Sequence, residues 1–413
     1  MLTISKAALF AATLGLSAPL AVAVPAVAQE ATALAFSVTL EVPTVTAVDS
    51  SMSEDQLRDV FTSNFLSHAD ELARLTATSI TIPEITLSMT GNDGMTDFTS
   101  TVIYRDTVLT NVRDGIAESM TLGSMESVDT DGRTTYGVTT ETQFDIRRTL
   151  ELAGIVKGDP SAAMKPLYDV FSIAGGEYTG QLFSCTYGEI KGSAAEARPV
   201  SVPLADVIAA VQQFPTGMGE APPEAVGTLV SYVADILRSI RGGSTSIGPI
   251  ECSGQPEPNA TVSVKVDGAS SGNFEPGVYP EFRVGAISVD AGEQGTGSLG
   301  EFVFKAMDLN PTLEALDSAA GQLSDAWFDA NWRRLIPSWE GLSFKGFALD
   351  AVTPPTAADP STGTPARPSE RIEAKVGEFD LSLANYREGI PTDVSISASG
   401  VEFPLPQDTT DPQ

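Results

Sequence analysis

The sequence predicts a mainly β, α+β fold: a long, twisted antiparallel sheet with β-bulges and amphipathic helices packed on one side. Three observations lead there. Apolar residues alternate with polar ones through much of the chain, the two-residue period of a half-buried strand. That alternation slips by one residue again and again, usually at glycine. A few stretches instead repeat their apolar residues at helical spacing.

The slip is clearest where the chain nearly repeats itself, in SLGEFVFKAMDL at 298–309 and KVGEFDLSLANY at 375–386. In the second phrase Ile372, Ala374 and Val376 share one parity and Phe379, Leu381 and Leu383 the other, with Gly377 and Glu378 between them. One extra residue in a strand has this effect, and glycine accommodates it at least cost. The same slip separates Val284 from Ile287, Leu299 from Phe302, Ile247 from Ile250, Tyr187 from Ile190 and Leu122 from Met125. Two variants use other residues, Ile82 to Ile85 across Pro83 and Phe344 to Phe347 across Lys345 and Gly346. With 36 glycines the bare pattern also arises by coincidence, and the continuing alternation on both sides is what marks a structural repeat.

In chain order, a strand near 35–40 precedes a helix at 54–75. Ser53 and Gln56 form a capping box there, and Leu57, Phe61, Phe65, His68, Leu72 and Leu75 make its stripe. Strands fill 77–144, divided by turn signals at Asn92-Asp93-Gly94, Asp114-Gly115 and Asp129-Thr130-Asp131-Gly132. Short helices are expected at 146–153 and 161–172, then a strand at 178–192. A helical hairpin follows, with stripes Leu204, Val207, Ile208, Val211 and Val226, Leu229, Val233, Ile236, Leu237, Ile240. Strands resume at 246–309, and Asn310-Pro311 starts a helix. The expected organisation is a signal peptide at 1–28, an N-terminal β-rich module at 29–198 and a helical hairpin insert at 199–245. A second β-rich module at 246–352 carries helices at 311–336, a flexible linker covers 353–371, and C-terminal strands with a polar tail occupy 372–413.

The leader carries one charge, Lys6, an apolar run, and Ala26-Val27-Ala28 before Gln29, the pattern of a cleavable secretory signal. A periplasmic or secreted location follows, with no membrane-spanning segment after cleavage. Removing the leader takes away one basic residue and no acidic one, so the mature charge is one unit below the −30 of the full chain. Nucleic acid and anionic membrane surfaces are poor partners for such a chain. Cys185 and Cys252 are the only cysteines and, in an oxidising compartment, are expected to pair. Each lies on the apolar face of its own bulged strand, so they can meet if those strands are neighbours.

The order of strands and the phrases YRDTVLTNVRDGIAE, YTGQLFSCTYGEIKG, RRLIPSWEGLSFKGFALDAV and NYREGIPTDVSISASGVEFP resemble those of uncharacterised exported β-repeat proteins of Gram-negative bacteria. More remotely the chain is similar to AsmA-like envelope proteins with long curved β-grooves. The resemblance covers most of the mature chain, rests on strand rhythm and short phrases, and brings no catalytic signature. It implies an elongated twisted sheet with helices against one side and a lipid-associated envelope role. AsmA-like proteins usually carry a membrane anchor, and this chain is expected to keep none once the leader is removed.

Catalytic patterns are weak. GASSG at 268–272 has the nucleophile-elbow form, yet GNFEPG follows where a helix should start, and the sole histidine, His68, precedes the serine. His68 reads as a partly buried, hydrogen-bonded residue, and neither a lone histidine nor two distant cysteines suit a metal. Asp129-Thr130-Asp131-Gly132 starts like a calcium loop, but Arg133 and Thr140 occupy ligand positions, so a hairpin turn is preferred. The expectation is a non-enzymatic protein without cofactor or metal, although a hydrolase using carboxylates alone stays open with 54 acidic residues. The candidate ligand or partner site is Trp327, Phe328, Trp332, Arg333, Arg334 and Trp339. The competing reading makes Phe328, Trp332 and Leu335 the face that packs a helix onto the sheet. Two functions are carried forward: an amphiphile or lipid held in a groove of the curved sheet, or a structural or protein-interaction component of the envelope with no small-molecule ligand.

Overall fold

The computed structural model describes residues 36–62, 65–92, 97–213, 222–257, 260–319, 325–353, 355 and 368–403. The expected leader, most of the expected linker and the polar tail lie outside these residues. One antiparallel sheet of twenty-four segments dominates, with a three-stranded sheet of Val278–Tyr279, Met307–Asp308 and Ser338–Trp339 beside it.

Collinear segments combine into fourteen long strands. They are β1 (Phe36–Glu41 with Thr46–Val48), β2 (Ala77–Asn92), β3 (Asp97–Arg113), β4 (Ile116–Leu122 with Ser124–Val128) and β5 (Gly132–Tyr136 with Thr139–Asp145). Next come β6 (Lys165–Ile173 with Gly176–Gly180), β7 (Phe183–Tyr187 with Ile190–Ala197) and β8 (Ile240–Gly242, Thr245–Ile247 and Ile250–Glu257). The last six are β9 (Ala260–Val266 with Ala269–Ser271), β10 (Phe282–Val284 with Ile287–Asp290), β11 (Gly295–Leu299 with Glu301–Phe304), β12 (Gly341–Val352), β13 (Arg371–Arg387) and β14 (Ile390–Ser399). Each pairs with the strand before it and the strand after it, so sequence order is spatial order. The sheet continues through 198, 246 and 352, where the sequence suggested module boundaries.

Pairing is kept across every break between collinear segments. Lys345 pairs with Glu378 and Phe347 with Val376; Arg105 pairs with Ser124 and Val108 with Thr121. An ordinary bulge sets two residues against one. Here each strand carries its extra residue at the same level, so the breaks match and the ladder stays in register. They form one transverse seam through Pro83, Asp106, Gly123, Gly137, Gly175, Gly188, Gly248, Gly268, Gly285, Gly300, Gly346, Gly377 and Gly400. Backbone bonds stitch it, among them Gly137 N to Gly175 O at 2.8 Å, Gly188 N to Pro249 O at 2.7 Å and Gly300 N to Lys345 O at 2.8 Å. All eight slips read from the sequence fall on this seam.

The seam divides the sheet into two zones. Every helix lies in a connection at one end: α1 (Glu54–Thr62) and α2 (Ala69–Leu72) between β1 and β2, α3 (Ile146–Leu152) between β5 and β6, α4 (Leu204–Val211) and α5 (Pro223–Arg238) between β7 and β8. Between β11 and β12 come α6 (Asn310–Ala319), α7 (Asp325–Asn331) and a 3-10 turn, Trp332–Leu335. Among the described residues, connections at the opposite end hold no helix longer than the 3-10 turn Gly292–Gln294. Local chemistry fits these elements. Ser53 Oγ accepts from Gln56 N at 3.2 Å while Gln56 Oε1 accepts from Ser53 N at 2.9 Å, the capping box in full. Asp114 and Gly115 both take positive φ, as a two-residue hairpin turn requires.

Three expectations about single elements change. The one helix expected at 54–75 is α1 as far as Thr62, then a 3-10 turn, Phe65–His68, and the short α2. Residues 161–172 are largely strand: β6 pairs on both sides, and its apolar residues Leu167, Tyr168, Phe171 and Ile173 are buried. Local helical spacing lost there to two flanking ladders. Val233, placed on the α5 stripe, is exposed, and Ile240 opens β8 after the helix ends.

Among the described residues, the buried hydrophobic clusters and the partly buried residues packed against them draw only on residues 40–274. The largest packs Leu57 and Val60 of α1 onto Ile80, Ile82 and Val112. Toward the C-terminus the sheet is thinner: beyond residue 274, the buried hydrophobic residues among those described are Val303, Leu313, Ala315, Ala319 and Ala374.

Candidate functional site

Each strand reverses its side-chain parity at the seam, and the apolar residues therefore stay on one face. Two rows result. On the hairpin side run Ile85, Tyr104, Met125, Tyr136, Tyr187, Ile250, Val266, Ile287, Leu299, Phe347 and Val376. On the helix side run Ile82, Leu122, Ile173, Ile190, Ile247, Val284, Phe302, Phe344 and Phe379. Many neighbours in a row are cross-strand partners, such as Phe302 with Phe344 and Phe344 with Phe379, and elsewhere a small or polar residue such as Gly176 or Ala269 stands between them. Rings touch along and across the rows: Phe344 stacks on Phe379 at 5.1 Å, and Tyr136 on Tyr187 at 6.4 Å. Fourteen strands spaced by about 4.8 Å make this an apolar track roughly 60 Å long, running across the strands.

The track changes character along its length. At its N-terminal end Ile82, Ile85, Tyr136, Ile173 and Ile190 are buried. From β9 to β13 its members are half-buried, including Val266, Ile287, Leu299, Phe302, Phe344, Phe347, Val376 and Phe379. On β14 it opens fully, with Val394 57% and Ile396 67% exposed. The helices that could cover this part stay at their own end: Gly389, in the turn between β13 and β14, lies against the backbone of Arg333.

The opposite face is polar and clasped by ion pairs. Arg105 meets Glu84 at 3.6 Å and Glu126 at 3.0 Å, Arg241 meets Glu196 and Glu275, and Arg283 meets Glu281 and Glu301. Several basic side chains of this acidic protein are thus occupied in holding strands together.

The aromatic cluster divides. Trp339 is half-buried and stacks on Phe304 at 5.0 Å, while its backbone carbonyl accepts from Tyr386 Oη at 2.7 Å. Trp327 meets Phe328 edge-on at 5.4 Å. Phe328 and Trp332, which the competing reading made a packing face, are 39% and 53% exposed. The reason is that the chain turns into a 3-10 segment at Trp332, which breaks the helical stripe. The Arg333 guanidinium sits 5.4 Å from the Trp332 ring centroid, and Arg334 donates to Asn331 Oδ1 at 3.3 Å.

The catalytic patterns take structural roles. Gly268 of GASSG lies on the seam at φ +123, where a Cβ would come within 2.5 Å of Ile247 O. Ser270 then pairs with Ser246 and Arg283 in mid-strand, so no nucleophile elbow forms. His68 Nδ1 lies 2.8 Å from Glu71 Oε2, and its Nε2 lies 3.5 Å from Asp59. Asp129 Oδ1 accepts from the backbone N–H groups of Asp131 and Gly132, closing a hairpin turn. Among the described residues no group of three or more His, Cys, Asp or Glu could hold a metal ion.

Cys185 and Cys252 are direct cross-strand partners on β7 and β8 and form a disulfide, closing a loop that contains α4 and α5. Sequence reasoning passed over Glu141. It points into the core from β5, 3% exposed, opposite Met120 and Phe171, and its Oε2 has no hydrogen-bond partner. Burial pushes its carboxyl up to about 7. The signal for it was available: Thr139 and Glu141 fall on the apolar parity of their strand. Among the described residues no helix is long and apolar enough to cross a membrane. Compared with protein-family models, with curated proteins and with solved structures, the chain matches none.

Proposed function

We propose that the protein is a non-enzymatic, exported binding protein that holds the apolar part of a lipid or other amphiphile along the open stretch of the track. One observation carries this reading. From β9 to β14 a continuous apolar face, rich in phenylalanine, remains half-exposed or exposed, whereas a scaffold packed shut would cover it. The polar face behind it, laced by ion pairs, suits the solvent side. The likeness to AsmA-like grooves noted from the sequence agrees with this use of a curved sheet.

The test is native mass spectrometry with lipid extraction on protein purified from the periplasm without detergent. A reproducible bound amphiphile, lost in Phe344→Asp and kept in Ser343→Asp, supports the reading. A clean apo mass, together with no binding of a fluorescent fatty acid, overturns it.

The second reading, an interaction component of the envelope, is favoured by Trp332. An exposed tryptophan under an arginine is a common binding anchor, and it stands close to the β13–β14 turn. Crosslinking from that turn to an envelope protein, abolished by Trp332→Ala, would support it.

A further inference from the structure

Among the described residues the sheet ends at β14, whose outer edge pairs with no other strand, and over Ile390–Ser399 that edge lacks the protections such edges usually carry. Natural edge strands are shortened, bulged, or guarded by lysine and proline. β14 is ten residues long and pairs without a register shift from Ile390 to Ser399. It holds no lysine, its one charge is Asp393, and its proline, Pro391, stands at the extreme end. Its faces are sorted: Val394, Ile396 and Ala398 continue the apolar track, and Ser395, Ser397 and Ser399 lie on the other side. The apolar side is open, with Val401 46% and Phe403 61% exposed just beyond the strand.

We propose that β14 pairs with β14 of a second copy of this chain, joining two sheets into one about a two-fold axis. Two identical edge strands related by a two-fold axis normal to the sheet run antiparallel, the pairing this sheet uses throughout. Registers that keep both apolar faces on one side set Ile396 against Ile396 or Val394, and serine against serine. Asp393 then faces Ser399 or Ser397 and never its own counterpart. This near-neutral stretch is the self-complementary surface that a closed isologous contact needs in a chain of net charge −30. The other edge fits less well: β1 is broken between Glu41 and Thr46, includes Pro43, and is packed by α1.

Charge gives the contact a signature. Two strongly acidic bodies repel at low salt, and at about 1 M salt the screening length falls to about 3 Å. Dimerisation through β14 therefore strengthens as salt rises, opposite to an association held by ion pairs. The dimer doubles the length of the apolar track, but the contact is independent of whether the track holds a ligand.

The experiment is sedimentation velocity on the mature, disulfide-bonded protein across a dilution series at low and high salt. Ile396→Lys and the single-cysteine variants Ile396→Cys and Val48→Cys are examined beside it. Val48 is 51% exposed on the opposite edge and both native cysteines are bonded, so each variant offers one added thiol. Dimers that tighten with salt, weaken at least about tenfold in Ile396→Lys, and crosslink through Ile396→Cys alone support the proposal. A chain that stays monomeric at high salt and concentration overturns it. So does a ladder of species larger than dimers, or equal crosslinking through Val48→Cys, since either means an open end-to-end contact. Circular dichroism of Ile396→Lys matching the parent excludes unfolding as the cause of lost dimers.

Discussion

Phe344 and Phe347 stand three residues apart in one strand, yet their rings meet edge-on at 6.4 Å on the same face of the sheet. In a regular strand they would point to opposite faces. The parity change between them is local to Lys345 and Gly346, and the same change in every neighbouring strand keeps one face apolar from edge to edge.

Gly346 takes φ +66, where an L side chain is strained by roughly 1–2 kcal/mol per residue. Gly346→Ala is expected to lower unfolding stability by about that amount. Gly297→Ala, whose Cβ would meet nothing closer than Val289 Cβ at 3.9 Å, should change it by less than about 0.5 kcal/mol. Paired urea titrations read the difference; equal losses would mean that the seam needs no left-handed residue.

Glu141 makes stability depend on pH. Its folded pKa of about 7 stands above the ordinary value of 4.5, so the native state favours the protonated acid. No penalty applies below about 4.5. It grows as pH rises to about 7 and is then constant, at about 3 kcal/mol. Glu141→Gln should therefore gain stability over the parent at pH 8 and little at pH 4, as read by chemical denaturation at both. An equal gain at the two pH values would show that desolvation of the charge is not the cause.

The disulfide spans 67 residues of chain. In the loop-entropy account, replacing both cysteines by serine costs about 4 kcal/mol. Thermal melts of Cys185→Ser/Cys252→Ser against the oxidised parent measure this, and the parent in reductant should approach the variant. An unchanged melting temperature would mean that the reduced, unfolded chain is already restrained.

The tryptophans should separate in mutagenesis. Trp332→Ala removes an exposed ring and should leave stability within about 0.5 kcal/mol. Trp339→Ala removes a half-buried ring stacked on Phe304 and should cost about 2 kcal/mol. Fluorescence quenching by acrylamide should likewise fall more when Trp332 is removed than when Trp339 is.

Fold class, the cysteine pairing and eight seam positions were legible because each leaves a local mark, an apolar residue on both sides of a slip. Asp106, Gly137, Gly175, Gly268 and Gly400 were missed because Thr107, Thr139, Gly176, Ala269 and Ala398 supply a weak or absent apolar flank. That all slips align is a property of strand pairing, which no single stretch encodes. The stretch 165–172 was misread as helix because its apolar spacing suits either element, and the ladders to β5 and β7 that decide it are not local. At the candidate site, Phe344, Phe347 and Phe379 were visible as strand residues. Their joining into one track was not, since it depends on strand order. Trp332 was visible as an unusual residue, but whether it packs or projects depended on where a helix stops.

Strand order that follows sequence order also bears on how such a molecule is made and unmade. A chain delivered N-terminus first can lay each strand on an edge already complete, with no segment waiting for a partner not yet delivered. Pulled from its C-terminus, the same protein should open one strand at a time, beginning at β14. That unzipping should halt at β8, where the disulfide ties it to β7.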